Sequence, residues 1–433
     1  MRGAVPFLIL GAVLITALAA VLLYSPDPPE GGTVRRVYFA DNISPAHQFV
    51  IDRFNREYAG RIEVVPVDLP FRKFSTNERK ELLARSLRNK SDRIDIFSVD
   101  QIWVPRFSRW SEPLDHLIAK DEAGRILSYA LESCVFDSHL VAIPLYIDVG
   151  MLYYRRDLVR SLPDGAAVEH RLKESITWDE LLTLAGRLDL RGAPMYLFQA
   201  DNFEGLVCNY FELLAGQDRN AFAGNRVDLS TPEAHRALQM LVDFVHRYRI
   251  SPREVSQYDE IQSYIRMLRS GGAFVRGWPN FIENYTTFYH EPVDIENIGR
   301  AALPHFAGHQ PVSVFGGWNL MISRHSPNKE AALTFARFLQ REESQKVLFD
   351  VGGYIPSNEQ VYRDSAFMAR RPDLQYYRKL LDHGFHRPQL IGYTRISDII
   401  ANYAHRAIKG ELTVSEALRR ASLTISNERA FHE

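Results

Sequence analysis

Asp148 is the single carboxylate in the apolar stretch Ala142-Ile143-Pro144-Leu145-Tyr146-Ile147-Asp148-Val149-Gly150, and Tyr146 stands two residues before it. On an extended strand that spacing puts the acid and the ring on one face. A carboxylate accepts paired hydroxyl hydrogen bonds and a ring covers an apolar C–H surface, so the two together suit a polyhydroxylated ligand. A buried aspartate satisfied by backbone donors beside a packed tyrosine accounts for the same residues, and the window alone does not choose between them. Two tryptophans add to the count of candidates. Trp278 lies between Gly277 and Pro279, and Trp318 follows the paired glycines Gly316-Gly317, which mark a bend or a close backbone approach in a strand. Tyr354 sits in another break, Gly352-Gly353-Tyr354-Ile355-Pro356.

Covalent chemistry finds fewer footholds. The chain has no Gly-x-Ser-x-Gly elbow, no phosphate loop ending in Gly-Lys-Ser/Thr and no His-Glu-x-x-His. His305/His309 and His383/His386 have spacings a metal could use, but the surrounding proline and glycine argue against helical presentation, so they read as surface histidines. Glycoside hydrolysis needs two carboxyl groups about 5–9.5 Å apart across a cleft, and Asp100 with Asp148 is the candidate pair. No cofactor and no metal is expected.

The elements that would position these residues follow an α/β pattern. Val34 to Phe39, Ile62 to Val67 and Ile94 to Val99 read as strands. Between them lie a helix opened by Ser44 as N-cap and Pro45, with Phe49, Val50 and Phe54 on one face, and a charged helix from about Asn77 to Asn89. Ligands of open α/β sheets bind beyond the carboxyl ends of the strands. Asp41, Asn42, Asp100 and Gln101 stand there, although each also fits a turn or a helix cap. Further on, Thr177-Trp178-Asp179-Glu180 is a capping box whose helix puts Leu181, Leu184, Ala185 and Leu188 on one side. Gly271 to Val275 and Val312 to Ser323 read as strands. Ser326-Pro327 starts a helix with Ala332, Phe335, Ala336 and Leu339 on one face, and two amphipathic helices close the chain.

The 433 residues exceed one compact core and suggest two or three domains. With 46% hydrophobic and 24% charged residues the chain reads as globular. A net charge of -1 without a basic block argues against a nucleic-acid partner. Cys134 and Cys208 allow at most one disulfide and no Cys-based zinc site, and both read as structural or incidental. Ala4 to Tyr24 is a charge-free apolar run after Arg2, at about 1.5 Å rise per residue long enough to cross a bilayer. An uncleaved anchor is favoured over a signal peptide, because the small-x-small site Ala17-Leu18-Ala19 falls inside the run. Export through this segment is the firmer expectation.

The order of four segments resembles the family-1 extracellular solute-binding proteins of bacterial ABC importers, the maltose-binding-like group. They are Asp95 to Leu114; Ile143 to Asp148 with Leu152 to Leu158; Gly316-Gly317-Trp318 through Ser323, with Ser326 to Ala332; and Gly352 to Ser357. The resemblance implies a two-lobed, periplasmic-binding-protein-like α/β fold, each lobe a mixed sheet flanked by helices, joined by three crossings. Residues 1–32 would be anchor and spacer, 33–143 plus 319–350 the amino-terminal lobe, and 144–318 plus 351–433 the carboxyl-terminal lobe. It implies a monomer at the periplasmic or extracellular face that captures a carbohydrate-like ligand between the lobes and delivers it to the importer's membrane subunits. The implied contacts are Asp148, Tyr146, Trp278, Trp318, Gly317, Asp100, Tyr354 and Asn42. This sequence departs from the family pattern in three places. The Asp41-Asn42-Ile43-Ser44 loop lacks the carboxylate–aromatic pair, no lipobox cysteine follows the apolar run, and Arg276 precedes Trp278, which points toward an acidic or phosphorylated ligand. An enzyme using Asp100 and Asp148, and a tethered ligand-sensing domain, stay open as alternatives.

Overall fold

A computed structural model describes residues 33–70, 76–90, 93–282, 285 and 294–430. The apolar segment 4–24 and its spacer lie outside these residues. No helix among the described residues is long and apolar enough to cross a membrane.

The first three strands form where they are expected. They are β1 (Arg35–Asp41), β2 (Ile62–Asp68) and β3 (Ile96–Asp100). β1 pairs with both others in parallel, as helical crossovers between strands require. A small hairpin of β4 (Val135–Phe136) and β5 (His139–Leu140) leads to β6 (Ile143–Val149) and, after Gly150 alone, to β7 (Met151–Arg155). Later come β8 (Tyr196–Leu197), β9 (Phe274–Gly277), β10 (Ile298–Ala301), β11 (Ser313–Ile322) and β12 (Gly384–Phe385).

These strands make two principal sheets. The larger runs β12-β11-β3-β1-β2, with β6 also paired to β11, and the smaller runs β10-β7-β9-β8. Because β6 belongs to the first sheet and β7 to the second, the chain passes from one to the other at Gly150. The bridge between Ile147 and Ile355 brings the Gly352–Pro356 break alongside the same passage. Both sheets are mixed and flanked by helices, which is the α/β architecture expected.

Side-chain chemistry explains the local details and the departures. Ser44 caps the helix Pro45–Glu57 through a box closed by the His47 side chain. That helix buries Ala46, His47, Val50, Ile51 and Phe54, and Phe54 meets Phe335 edge-on at 5.0 Å. Phe49 does not share this face. It is 49% exposed, because at 100° per residue it falls outside the arc spanned by the others. The third strand starts at Ile96, two residues late, since Asp95 turns its carboxylate onto the Tyr38 amide (2.8 Å) and the Ser326 hydroxyl. Ser326 Oγ also accepts from the Asn328 amide at 2.9 Å, and the helix begins at Lys329. The strand expected at Gly271 lies at Phe274–Gly277, because Gly271 takes a left-handed φ of 87° and caps the preceding helix.

Cys134 and Cys208 are free thiols, 0% and 1% exposed, and burial pushes both up from the ordinary thiol range. The native protein is therefore expected to resist a thiol-titrating reagent and to release both thiols only after denaturation.

Candidate functional site

The register of β11 builds the site. Trp318 stands opposite Asp100 on β3 and opposite Tyr146 on β6. Residues directly opposite in an antiparallel pair share a face, so these three side chains emerge together. Asp148, two residues beyond Tyr146, keeps that face and stands opposite Gly316. A Cβ on Gly316 would lie 2.8 Å from Trp278 Cζ3 and 3.2 Å from Asp148 Cβ. The missing side chain is what lets the Trp278 ring lie close to Asp148. Gly317 has φ +124°, and a Cβ there would come 2.6 Å from the Tyr146 carbonyl, so the bend needs glycine.

The smaller sheet delivers Trp278 at the end of β9. Its carbonyl accepts from Tyr153 Oη at 2.8 Å, and its amide donates to Tyr264 Oη at 3.1 Å. Tyr354 is 4% exposed, with its ring 4.5 Å from Tyr146 on one side and 5.0 Å from His47 on the other. Asp100, Tyr146, Asp148, Trp278, Gly317, Trp318 and Tyr354 thus come from both sheets and the Gly352–Pro356 break to one place. Asn42 is half-buried, with its carbonyl on His47 Nδ1 at 3.1 Å, the ring that stacks on Tyr354.

The charges are unevenly balanced. Asp148 is 7% exposed and its Oδ1 has no hydrogen-bond partner among the described residues. Burial first, and the Asp100 charge second, hold its carboxyl well above the ordinary aspartate range, against the opposing pull of Arg276. Asp100 is better supplied. Its Oδ1 accepts from the Ile102 amide at 3.1 Å and lies 3.5 Å from Arg387 Nη2, although burial still pushes it upward. Arg387 is shared with Glu204 at 2.6 Å and with the Phe315 carbonyl at 3.3 Å. Glu260 takes the Trp278 indole N–H at 3.5 Å and is raised to about 7, chiefly by burial and then by Asp259.

Arg276 corrects the expectation of an anionic ligand. It is 0% exposed, and its Nη2 and Nε meet Glu212 at 2.7 and 3.2 Å. Its charge is already matched inside the protein, and its guanidinium lies over Trp278 at 3.9 Å. Arg276 backs the indole and is fully shielded from solvent, although its Nη1 has no hydrogen-bond partner among the described residues.

Sequence reasoning missed Arg79, which is buried, pairs with Asp41 at 3.2 Å and lies over Trp318 at 4.5 Å. A signal was present. Arg79 lies four residues before the buried Leu83, and Lys80 lies three, four and seven before Leu83, Ala84 and Leu87, which puts two cations on the apolar face of the helix. A groove of about 690 Å³ opens elsewhere, beside Ile143, Gln340 and Asn358. We place the site at the crossings rather than there, because the unpaired carboxylate and both half-buried indoles are at the crossings.

The chain is similar to known bacterial binding proteins. Residues 38–346 match the model of a bacterial extracellular solute-binding protein family. A probable ABC transporter-binding protein of Deinococcus radiodurans is 24% identical over 79% of this chain and 82% of its own. A mannitol-binding protein of Pseudomonas aeruginosa is 22% identical over 68% of each. The maltose-bound MalE3 of T. maritima superposes with a TM-score of 0.80 at 26% identity, covering 91% of this chain and 99% of that one.

Proposed function

Because the chain belongs to the bacterial extracellular solute-binding proteins, we propose that it captures a sugar or polyol between two lobes and hands it to an ABC importer. The observation that carries this reading is the buried Asp148, whose Oδ1 has no partner among the described residues, flanked by Trp278 from one sheet and Trp318 from the other. A polyol would supply hydroxyl donors to the carboxylate while its C–H surfaces cover the indoles. Relatives that bind maltose and mannitol support that ligand class.

On this reading the amino-terminal lobe carries the larger sheet, so it takes in β6 up to Gly150 and all of β11 with Trp318, rather than stopping at 143 and resuming at 319, while β7 to β10 with Trp278 belong to the carboxyl-terminal lobe. Ligand favours the closed arrangement because only there do Trp278 and Trp318 both touch it. Asp100, held by Arg387 and the Ile102 amide, orients the ligand. The apolar run 4–24 tethers a monomer to the outer face of the cytoplasmic membrane.

A thermal-stabilisation screen of the intact protein against mono-, di- and oligosaccharides and linear polyols tests the proposal. A hit should raise the melting temperature with no product after prolonged incubation; product would make the protein an enzyme, and silence across the whole panel would refute the ligand class. For a hit, Trp278→Ala and Trp318→Ala are each expected to weaken binding by about 10- to 100-fold in titration calorimetry, from the lost stacking area. Binding unchanged in both would return the indoles to a packing role.

A further inference from the structure

The charge left over in the cleft narrows the ligand beyond the class of polyhydroxylated molecules. Among the described residues, Arg276 is the cation whose charge acts on Asp148; Glu212 holds its Nε and Nη2 through both carboxylate oxygens, while its Nη1 has no partner among them. Asp100 adds negative charge to the same carboxyl, and its own cation, Arg387, is closer to Glu204 than to it. Asp148 is only 7% exposed, its Oδ1 accepts no hydrogen bond, and Glu260 stands at the indole N–H of the adjacent Trp278. A hydroxyl can donate to this carboxyl but does not offset the cost of ionising it in a poorly solvated place. An ammonium does both.

The rings show where that ammonium would sit. Trp278 has the Arg276 guanidinium 3.9 Å from its ring, and Trp318 has that of Arg79 at 4.5 Å. A cation already lies over one face of each indole, which makes the other face a poorer seat for a second cation and leaves it suited to apolar C–H groups. We propose that the preferred ligand is an amine-bearing sugar or polyol whose ammonium group pairs with Asp148 while its C–H faces lie on Trp278 and Trp318. This rests on the carbohydrate-like reading above and deepens it.

Titration calorimetry of the intact protein with matched pairs tests it: glucose with glucosamine, galactose with galactosamine, and sorbitol with glucamine. The amine of at least one pair should bind about tenfold or more tighter than its neutral partner. In Asp148→Asn the two members should become equal within about twofold, since the charge is gone while the shape is kept. If that variant binds neither member measurably, Asp148→Glu decides. It keeps the charge and should keep the preference, and losing the preference there would overturn the proposal. Equal binding of every wild-type pair, or a preference that survives in Asp148→Asn, would overturn it while leaving the carbohydrate-like reading in place. Failure of all six compounds together with every neutral oligosaccharide of the screen would refute both.

Discussion

Replacing Asp148 with asparagine is expected to make the ligand-free protein more stable and the protein as a binder nearly useless. The carboxyl is buried, its Oδ1 is unpartnered, and its ionisation is opposed by burial and by Asp100. In the unfolded chain an aspartate ionises near pH ~4, whereas in the fold it needs a higher pH. Stability therefore falls as pH rises above about 4 and stays reduced once the folded carboxyl has ionised. The asparagine carries no such charge, so the variant's advantage should be absent below about pH 4 and present at neutral pH, about 1–3 kcal/mol for relief of an unsatisfied buried group. Ligand affinity should drop about 100-fold or more, because a charged acceptor at the centre of the site is lost. Denaturant melts from pH 3 to 8 with and without ligand check both halves. A variant that is less stable at neutral pH, or that binds as before, would make Asp148 ordinary core.

The second large effect concerns support. Glu212→Ala leaves Arg276 fully buried without its two-pronged partner and should cost about 3–5 kcal/mol, as breaking a buried ion pair does. It should also loosen Trp278, which the guanidinium backs at 3.9 Å. Removing both charges at once, Glu212→Gln with Arg276→Met, should recover most of the melting temperature, because the pair mainly offsets its own desolvation. Recovery of stability without recovery of affinity would separate the structural role of the pair from its role behind the indole. Gly150 belongs to the same unit, since a Cβ there would collide with Glu212 and come 2.8 Å from Arg276 Nη2.

Much of the site could be read along the chain because it is made by local periodicity. Tyr146 and Asp148 share a face simply by being two apart on a strand, and Gly316-Gly317-Trp318 marks a bend whatever lies beside it. The Thr177–Glu180 box and the Ser44 cap are likewise decided within four residues. What could not be read depends on partners far apart in sequence. Nothing near Arg276 announces Glu212, 64 positions away, so its charge looked available to a ligand when it was not. Asp95 reaches Ser326 across 231 positions, a partnership no local pattern announces. Arg79 is the intermediate case. Its helix read simply as charged, and only its spacing from Leu83 and Leu87 betrayed a buried cation, one that lies over Trp318.

Capture between the two lobes is tested most directly by hydrogen–deuterium exchange of the intact protein, with and without a ligand from the stabilisation screen. The expected result is joint protection of three segments in one titration: Tyr146–Gly150 on the first crossing, Phe315–Trp318 on the second, and Arg276–Asn280 at the end of β9. Protection confined to one of these segments, or centred on the groove beside Gln340 and Asn358, would contradict a ligand held between the lobes at Asp148.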